Sequence, residues 1–399
     1  MMPDMLRAMG TTTLAATLGC AAAMAHTETT IHRFDGVPVD AEQIDREARR
    51  MMRETNAQGL AMAVVDDGQV VFVRSWGHRN VAANLPLQPD TIMYGASLTK
   101  FVFAYMVMQL VDEGAFDLDR SIATYLPRPL PDYALYEALK SDDRWRKLTP
   151  RILLTHSSGL ANFAFLEPDE KMRIHFEPGT RYAYSGEGIN LLQFVLETGL
   201  GLRAGDEMQR RVFARFGMTR TSMRWRDDFA GNLADGYKSD GSFEPHDKRS
   251  RPRAAGSMDT TITDFARFLA GFSRGDGLSA HSRAEMIRPQ IAIQTPSQFP
   301  TLLEAVSPAM TAINLSAGLG VITFDGPFGR AFFKGGHDDS TGNQAICIDK
   351  SRRCIAFLSN DVRAERLYQR LTEVTLGDPG MPWSWEGYTP YDKPATVER

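Results

Sequence analysis

The chain has 399 residues, with 45 Lys and Arg against 49 Asp and Glu and a net charge of −4. That length supports a large buried core and permits two or three domains, and 43% hydrophobic with 24% charged residues is ordinary globular composition. The acidic balance excludes the basic field of a nucleic-acid binder, and short basic clusters such as Arg249–Arg253 read as solvated loop charge.

Residues 1–25 read as a secretory signal peptide. Gly10–Ala25 is apolar or small and uncharged, and Ala23-Met24-Ala25 matches an A-x-A cleavage pattern. The run is too short for a stable membrane span. Cys20, after Leu18-Gly19, offers lipoprotein anchoring as an alternative. Residues 26–376 then form the main domain, periplasmic or secreted, and residues 377–399 form a tail rich in Pro and Trp that packs on its surface, with a role in closing the site as the alternative.

Asp40–Thr55 carries Ile44, Ala48, Met51 and Met52 on one helical face. Leu60–Asp66 and Val70–Trp76 are apolar runs joined by Asp67-Gly68, a hairpin signal. From Ser97 to about Phe272, helical patterns and long loops dominate. Leu319–Phe324, Gln344–Asp349 and Cys354–Asn360 read as strands, and Ala364–Leu376 as a helix with Leu367, Leu371 and Val374 on one face. The expected class is α+β: an antiparallel sheet flanked by terminal helices, built from about 40–96 and 285–376, with an inserted, mostly helical lobe at about 97–284. A cleft between two such lobes is a natural place for chemistry.

A hairpin turning at Lys350-Ser351 would set Cys347 opposite Cys354. In an oxidising compartment the two could form a disulfide; the demanding geometry of a cross-strand bridge favours two reduced cysteines instead.

Ser97-Leu98-Thr99-Lys100 opens a long apolar helix after a Tyr94-Gly95 turn. A serine there can simply be an N-cap. Lys100 is harder to explain, because a lysine in the first turn opposes the helix dipole and precedes a buried segment. Positions i and i+3 share a face, so its amine can reach the Ser97 hydroxyl. Burial would disfavour the ammonium, and a neutral amine can take the serine proton. Two further clusters stand out. Tyr184-Ser185-Gly186 follows a Pro178-Gly179 turn and leads into a helical run, and Lys334-Gly335-Gly336-His337 ends a short apolar strand where backbone can approach a ligand closely.

Together these clusters resemble the S-x-x-K, Y-x-N and K/H-x-G triplet of the class C β-lactamase-like serine hydrolases, which include D-alanyl-D-alanine carboxypeptidases, D-aminopeptidases and related esterases. Leu148–Leu160 and Ala254–Thr261 are similar to the family as well. The resemblance implies a β-lactamase/transpeptidase-like fold with Ser97 as acylated nucleophile and Lys100 as its activator. Tyr184 would be the partner base or proton relay, its phenol acidified by neighbouring ammonium groups. Lys334 would supply charge beside Tyr184 and a substrate carboxylate. The oxyanion hole would use the N–H groups of Ser97 and His337, with Ser185, Gly186, Gly335 and Gly336 completing the substrate-binding surface. The implied partner is a small ester, amide or peptide, and the implied cycle needs no metal or organic cofactor.

Gly186 stands where the family pattern has Asn, and Gly335 where it has Thr. Both changes remove polar contacts to β-lactam-like substrates and favour an ester or amide hydrolase; a class C-type β-lactamase or D-alanyl-D-alanine peptidase is the alternative. A non-catalytic penicillin-binding sensor is the rival from another class, opposed by the presence of all three ionisable positions. His156 invites a Ser-His reading, but in the resembling family that stretch is structural. His337-Asp338-Asp339 suggests a metal site, yet three consecutive residues rarely converge on one ion.

Overall fold

The computed structural model describes residues 30–394, so the expected signal peptide and Cys20 lie outside the described residues. Helix α1 (Ala41–Thr55) starts where the Asp40 carboxylate accepts the Glu42 N–H and stops at Asn56 in the left-handed region. Strands β1 (Gly59–Asp66) and β2 (Gln69–Asn80) follow. Their turn holds Asp67 at φ 47° and Gly68 at φ 72°, the pair of left-handed residues that a two-residue hairpin needs.

The remaining sheet strands are β3 (Leu85–Pro86), β4 (Ile291–Ala292), β5 (Ser316–Ala317), β6 (Ile322–Gly326), β7 (Gly329–His337), β8 (Gly342–Ile348) and β9 (Arg353–Ser359). Among the described residues they form one nine-stranded antiparallel sheet in the order β4-β5-β6-β7-β8-β9-β1-β2-β3. Antiparallel pairing makes the two ends of the chain neighbours at its centre, where β9 meets β1.

Both faces of the sheet are covered, which explains why its central strands are continuous apolar runs. Leu60, Met62 and Val64 of β1 face a cluster with Ile44 and Met51 of α1 and Leu371 of the terminal helix (Tyr368–Thr375). Ala61, Ala63 and Val65 face the opposite cluster, built from α2 (Leu98–Asp112) and α4 (Ile262–Arg274). A further long helix, α3 (Gly186–Gly199), lies in the inserted lobe together with the short helices Pro150–Leu154 and Ala204–Met208, 3-10 turns and loops. Among the described residues no helix is long and apolar enough to cross a membrane.

Three expectations are refined. The strand expected from Leu319 begins at Ile322, because Gly320 at φ 76° closes a turn first. The helix expected over Ala364–Leu376 is a 3-10 turn, Val362–Leu367, running into Tyr368–Thr375. Cys347 does lie opposite Cys354, but the pair is a disulfide, not two thiols. The register brings the two Cα atoms to 4.1 Å, and α4 packs over them with Ser273 Oγ at 3.4 Å from Cys354 Sγ.

Removing this cross-link frees the unfolded chain. A Cys347→Ala/Cys354→Ala variant is expected to lose about 2 kcal/mol of stability. Urea unfolding with and without reductant checks this, and identical wild-type midpoints would refute it.

Candidate active site

The first turn of α2 sets the geometry. Gly95 N–H donates to the Met258 carbonyl at 2.8 Å, and Ala96 is held at φ 44°, a left-handed conformation unusual for alanine. Thr99 Oγ1 donates to the Ala96 carbonyl at 2.6 Å and accepts from Met258 N–H at 3.1 Å, locking this strained corner. Ser97 follows at φ −70°, and its side chain makes no capping bond. The N-cap explanation therefore fails. Ser97 Oγ instead lies 2.8 Å from Lys100 Nζ.

Lys100 is 1% exposed. Its Nζ donates to the Ala255 carbonyl at 2.5 Å. Burial, then the charge of Lys334, holds this amine well below the ordinary lysine range. The neutral form has one lone pair, and Ser97 Oγ is the hydroxyl beside it.

Tyr184 lies between the two lysines. Lys100 Nζ sits 5.0 Å and Lys334 Nζ 5.2 Å from its ring centre, and Lys334 Nζ is 3.4 Å from its hydroxyl. The phenol is not acidified as expected. Burial pushes it above its ordinary value, which a hydrogen bond with Ser97 opposes and the Glu386 carboxylate reinforces. His156 stacks on Tyr184 with ring centres 4.5 Å apart and accepts the Ser185 N–H at 3.2 Å. Burial first, then both lysine charges, drives its pKa well below the histidine range. It is a neutral support for the Tyr184 loop.

Strand β7 closes the other wall. A Cβ on Gly336 would lie 2.9 Å from Ser97 N and 2.8 Å from Leu98 N, so only glycine lets this strand meet the start of α2. Ser97, Lys100, Tyr184, Lys334, Gly335, Gly336 and His337 all line one cleft of about 730 Å³. Ser185 and Gly186 do not line it. The Ser185 hydroxyl is committed elsewhere: it caps α3 by accepting Gly188 N–H at 2.9 Å and donates to Ala161 O at 2.9 Å. The His337 ring turns to Glu365, 3.2 Å away. Among the described residues no group of three or more His, Cys, Asp or Glu is placed to hold a metal ion.

A family profile described as Beta-lactamase matches residues 44–378. The chain belongs to the beta-lactamase family. It is 27% identical over 262 residues to a lovastatin esterase of Penicillium rubens, covering 55% of this chain and 65% of that protein. It is 26% identical over 172 residues to a D-aminopeptidase of Gluconobacter oxydans, covering 41% of this chain and 32% of that one. The match thus spans less than two thirds of either relative. In fold it is similar to a beta-lactamase/D-alanine carboxypeptidase of Pseudomonas syringae, with a TM-score of 0.66 at 18% identity, covering 83% of this chain and 98% of that one.

Against the family pattern, the two glycine departures are filled from distant segments. A Cβ on Gly186 would lie 2.6 Å from Phe163 Cε1, and Asn162 Oδ1 accepts the Gly186 N–H at 2.9 Å. A Cβ on Gly335 would collide with the Glu386 carboxylate. Glu386 comes from the tail, in a 3-10 turn Trp383–Glu386 that is pinned by Gln298 N–H donating to Trp385 O at 2.8 Å. Its carboxylate accepts from Gln344 Nε2. Burial raises the Glu386 pKa, opposed by the Lys334 charge; burial lowers that of Lys334, opposed by Glu386. The sequence leaves the tail either on the surface or closing the site and singles out no site residue in it. The run Trp383-Ser384-Trp385-Glu386, one acid among aromatics, is the signal it held.

This packing predicts a coupled pair. Gly335→Thr alone is expected to destabilise the protein by about 1–3 kcal/mol through overpacking. Adding Glu386→Ala should recover part of that loss in a double-mutant unfolding cycle, whereas strictly additive effects would show that the two positions do not share the space.

Proposed function

We propose that the protein is a serine hydrolase that cleaves an ester or amide through an acyl-enzyme on Ser97. The observation that carries this reading is the buried Lys100 amine 2.8 Å from a Ser97 hydroxyl that makes no capping bond. In the first half-reaction Ser97 Oγ attacks the carbonyl carbon and its proton passes to the neutral Lys100. Tyr184 keeps its proton at neutral pH, which suits a relay between Lys100 and the leaving group better than a phenolate base. The N–H groups of Ser97 and His337 receive the developing oxyanion, with β7 held against α2 through Gly336. Water then attacks the acyl-enzyme by the reverse proton path.

An ester or amide is favoured over a β-lactam because Phe163 and Glu386 occupy the space where the family's Asn and Thr side chains would be. The likeness to an esterase and a D-aminopeptidase supports the same range. A periplasmic or secreted location is supported by the Cys347–Cys354 disulfide, since such bonds persist in oxidising compartments.

A fluorophosphonate probe is expected to label Ser97, read by peptide mass spectrometry, and Ser97→Ala should abolish both labelling and hydrolysis of short p-nitrophenyl esters. An unlabelled Ser97 would sink the reading. Lys100→Ala and Tyr184→Phe should each cost about 10²-fold or more in kcat/KM. A nitrocefin rate rivalling the ester rate would overturn the preference against β-lactams.

The sign of the pH dependence follows from the like charges. Lys334 holds the Lys100 pKa down, so Lys334→Met should raise it. The acid limb of kcat/KM, where the free-enzyme base becomes protonated, should then move to higher pH. A limb that stays in place or moves to lower pH would show that Lys100 is not the group being titrated.

A further inference from the structure

We propose that the substrate carries a carboxylate, and that Lys248, Arg251 and Arg253 at the cleft mouth bind it in place of Lys334. This rests on the serine-hydrolase reading for the site and adds the class of substrate. Arg249–Arg253 reads from sequence as solvated loop charge, but the fold brings this segment to the cleft that holds Ser97.

Lys248, Arg251 and Arg253 line that cleft, and among the described residues none of them has an ion-pair partner. Their neighbour Arg249 differs. It faces Asp259 at 3.4 Å and Asp247 at 3.5 Å and stacks on the Tyr94 ring at 3.5 Å. Arg249 is thus the anchor; Lys248 lies over the Trp225 ring at 4.7 Å, and Arg251 and Arg253 carry charge that no carboxylate pairs, in a chain whose net charge is −4. The acids at the mouth are already engaged. Asp247 faces Arg249, and Asp338 accepts the Ser340 N–H at 3.0 Å.

The segment is also tied to the catalytic amine. Arg253 N–H donates to Ser257 Oγ at 2.8 Å, Ala254 N–H to Gln193 Oε1 at 2.7 Å, and Ala255 N–H to Asn190 Oδ1 at 3.2 Å. The Ala255 carbonyl then takes the Lys100 N–H. The backbone that holds Lys100 against Ser97 therefore also places Arg253 and Arg251, so an anion on the rim would sit at a set distance from the acyl carbon. Lys334 is poorly placed for this task. The Glu386 carboxylate sits against Gly335 and interacts with the Lys334 charge, and Lys334 Nζ already donates to the Gly335 carbonyl at 2.5 Å.

Two esters with the same acyl length test the proposal: mono-p-nitrophenyl glutarate and neutral p-nitrophenyl valerate. The glutarate ester is expected to have roughly tenfold or higher kcat/KM at low ionic strength, with the gap closing as salt screens the rim. Arg251→Glu/Arg253→Glu should reverse the preference, with an unchanged melting temperature confirming the fold. Equal kcat/KM for the two esters, or a preference that survives the charge reversal, overturns the proposal.

A second readout does not depend on turnover. Glutarate should bind the Ser97→Ala protein in calorimetry while neutral glutaramide does not, and the charge reversal should abolish that binding. Absence of glutarate binding counts against the rim. Glutarate binding together with an unlabelled Ser97 would uphold the rim and remove the nucleophile.

Discussion

The molecule is organised around one buried amine. Lys100 is enclosed at the start of α2, with a backbone carbonyl and a serine hydroxyl beside it. A buried ammonium without a carboxylate partner is costly, so burial holds the Lys100 pKa well below the ordinary lysine range. The surrounding structure enforces that enclosure. Helix α2 is apolar along its length and lies between the sheet and the inserted lobe, β7 comes close enough to require Gly336, and the turn at residues 253–257 caps the amine from the far side. Loosening any of these would admit water and restore the ammonium.

The same constraint explains the two motif glycines. Where family members carry side chains on α3 and β7, this chain has bare backbone, and the space is taken by Phe163 and Glu386. Both arrive from outside the motifs, Phe163 from the loop before α3 and Glu386 from the tail. The cleft holds the Ser97–Lys100 pair between an aromatic wall at Phe163 and an acidic one at Glu386. Lys334 is buried in the wall, while Lys248, Arg251 and Arg253 line the cleft from another segment.

The tail is therefore part of the site. Trp385 packs 6.0 Å from Tyr182 and 6.2 Å from Phe333, and Gln298 bonds both the Trp385 carbonyl and the Tyr182 hydroxyl. These contacts join the tail to β7 and to the loop that carries Tyr184. A segment that looks peripheral along the chain completes the acidic wall because aromatic burial fixes it there.

Local physics made much of this legible in the chain. The apolar runs of the central strands, the Asp67-Gly68 hairpin, the face of α1 and the opposition of Cys347 and Cys354 each depend on residues close together in sequence. So does the Ser97–Lys100 pair, because a helix places i and i+3 on one face whatever surrounds it. The resemblance of the three clusters extended that reading to Tyr184 and Lys334. Tertiary structure alone decided the rest. Lys100 meets its carbonyl 155 residues away. Burial overrides the ammonium groups at Tyr184, Cys347 and Cys354 are joined as a disulfide, and Glu386, Arg251 and Arg253 enter the cleft from segments outside the three motif clusters. Periodicity and spacing report which face a residue takes, whereas desolvation and charge pairing depend on what distant chain packs against that face.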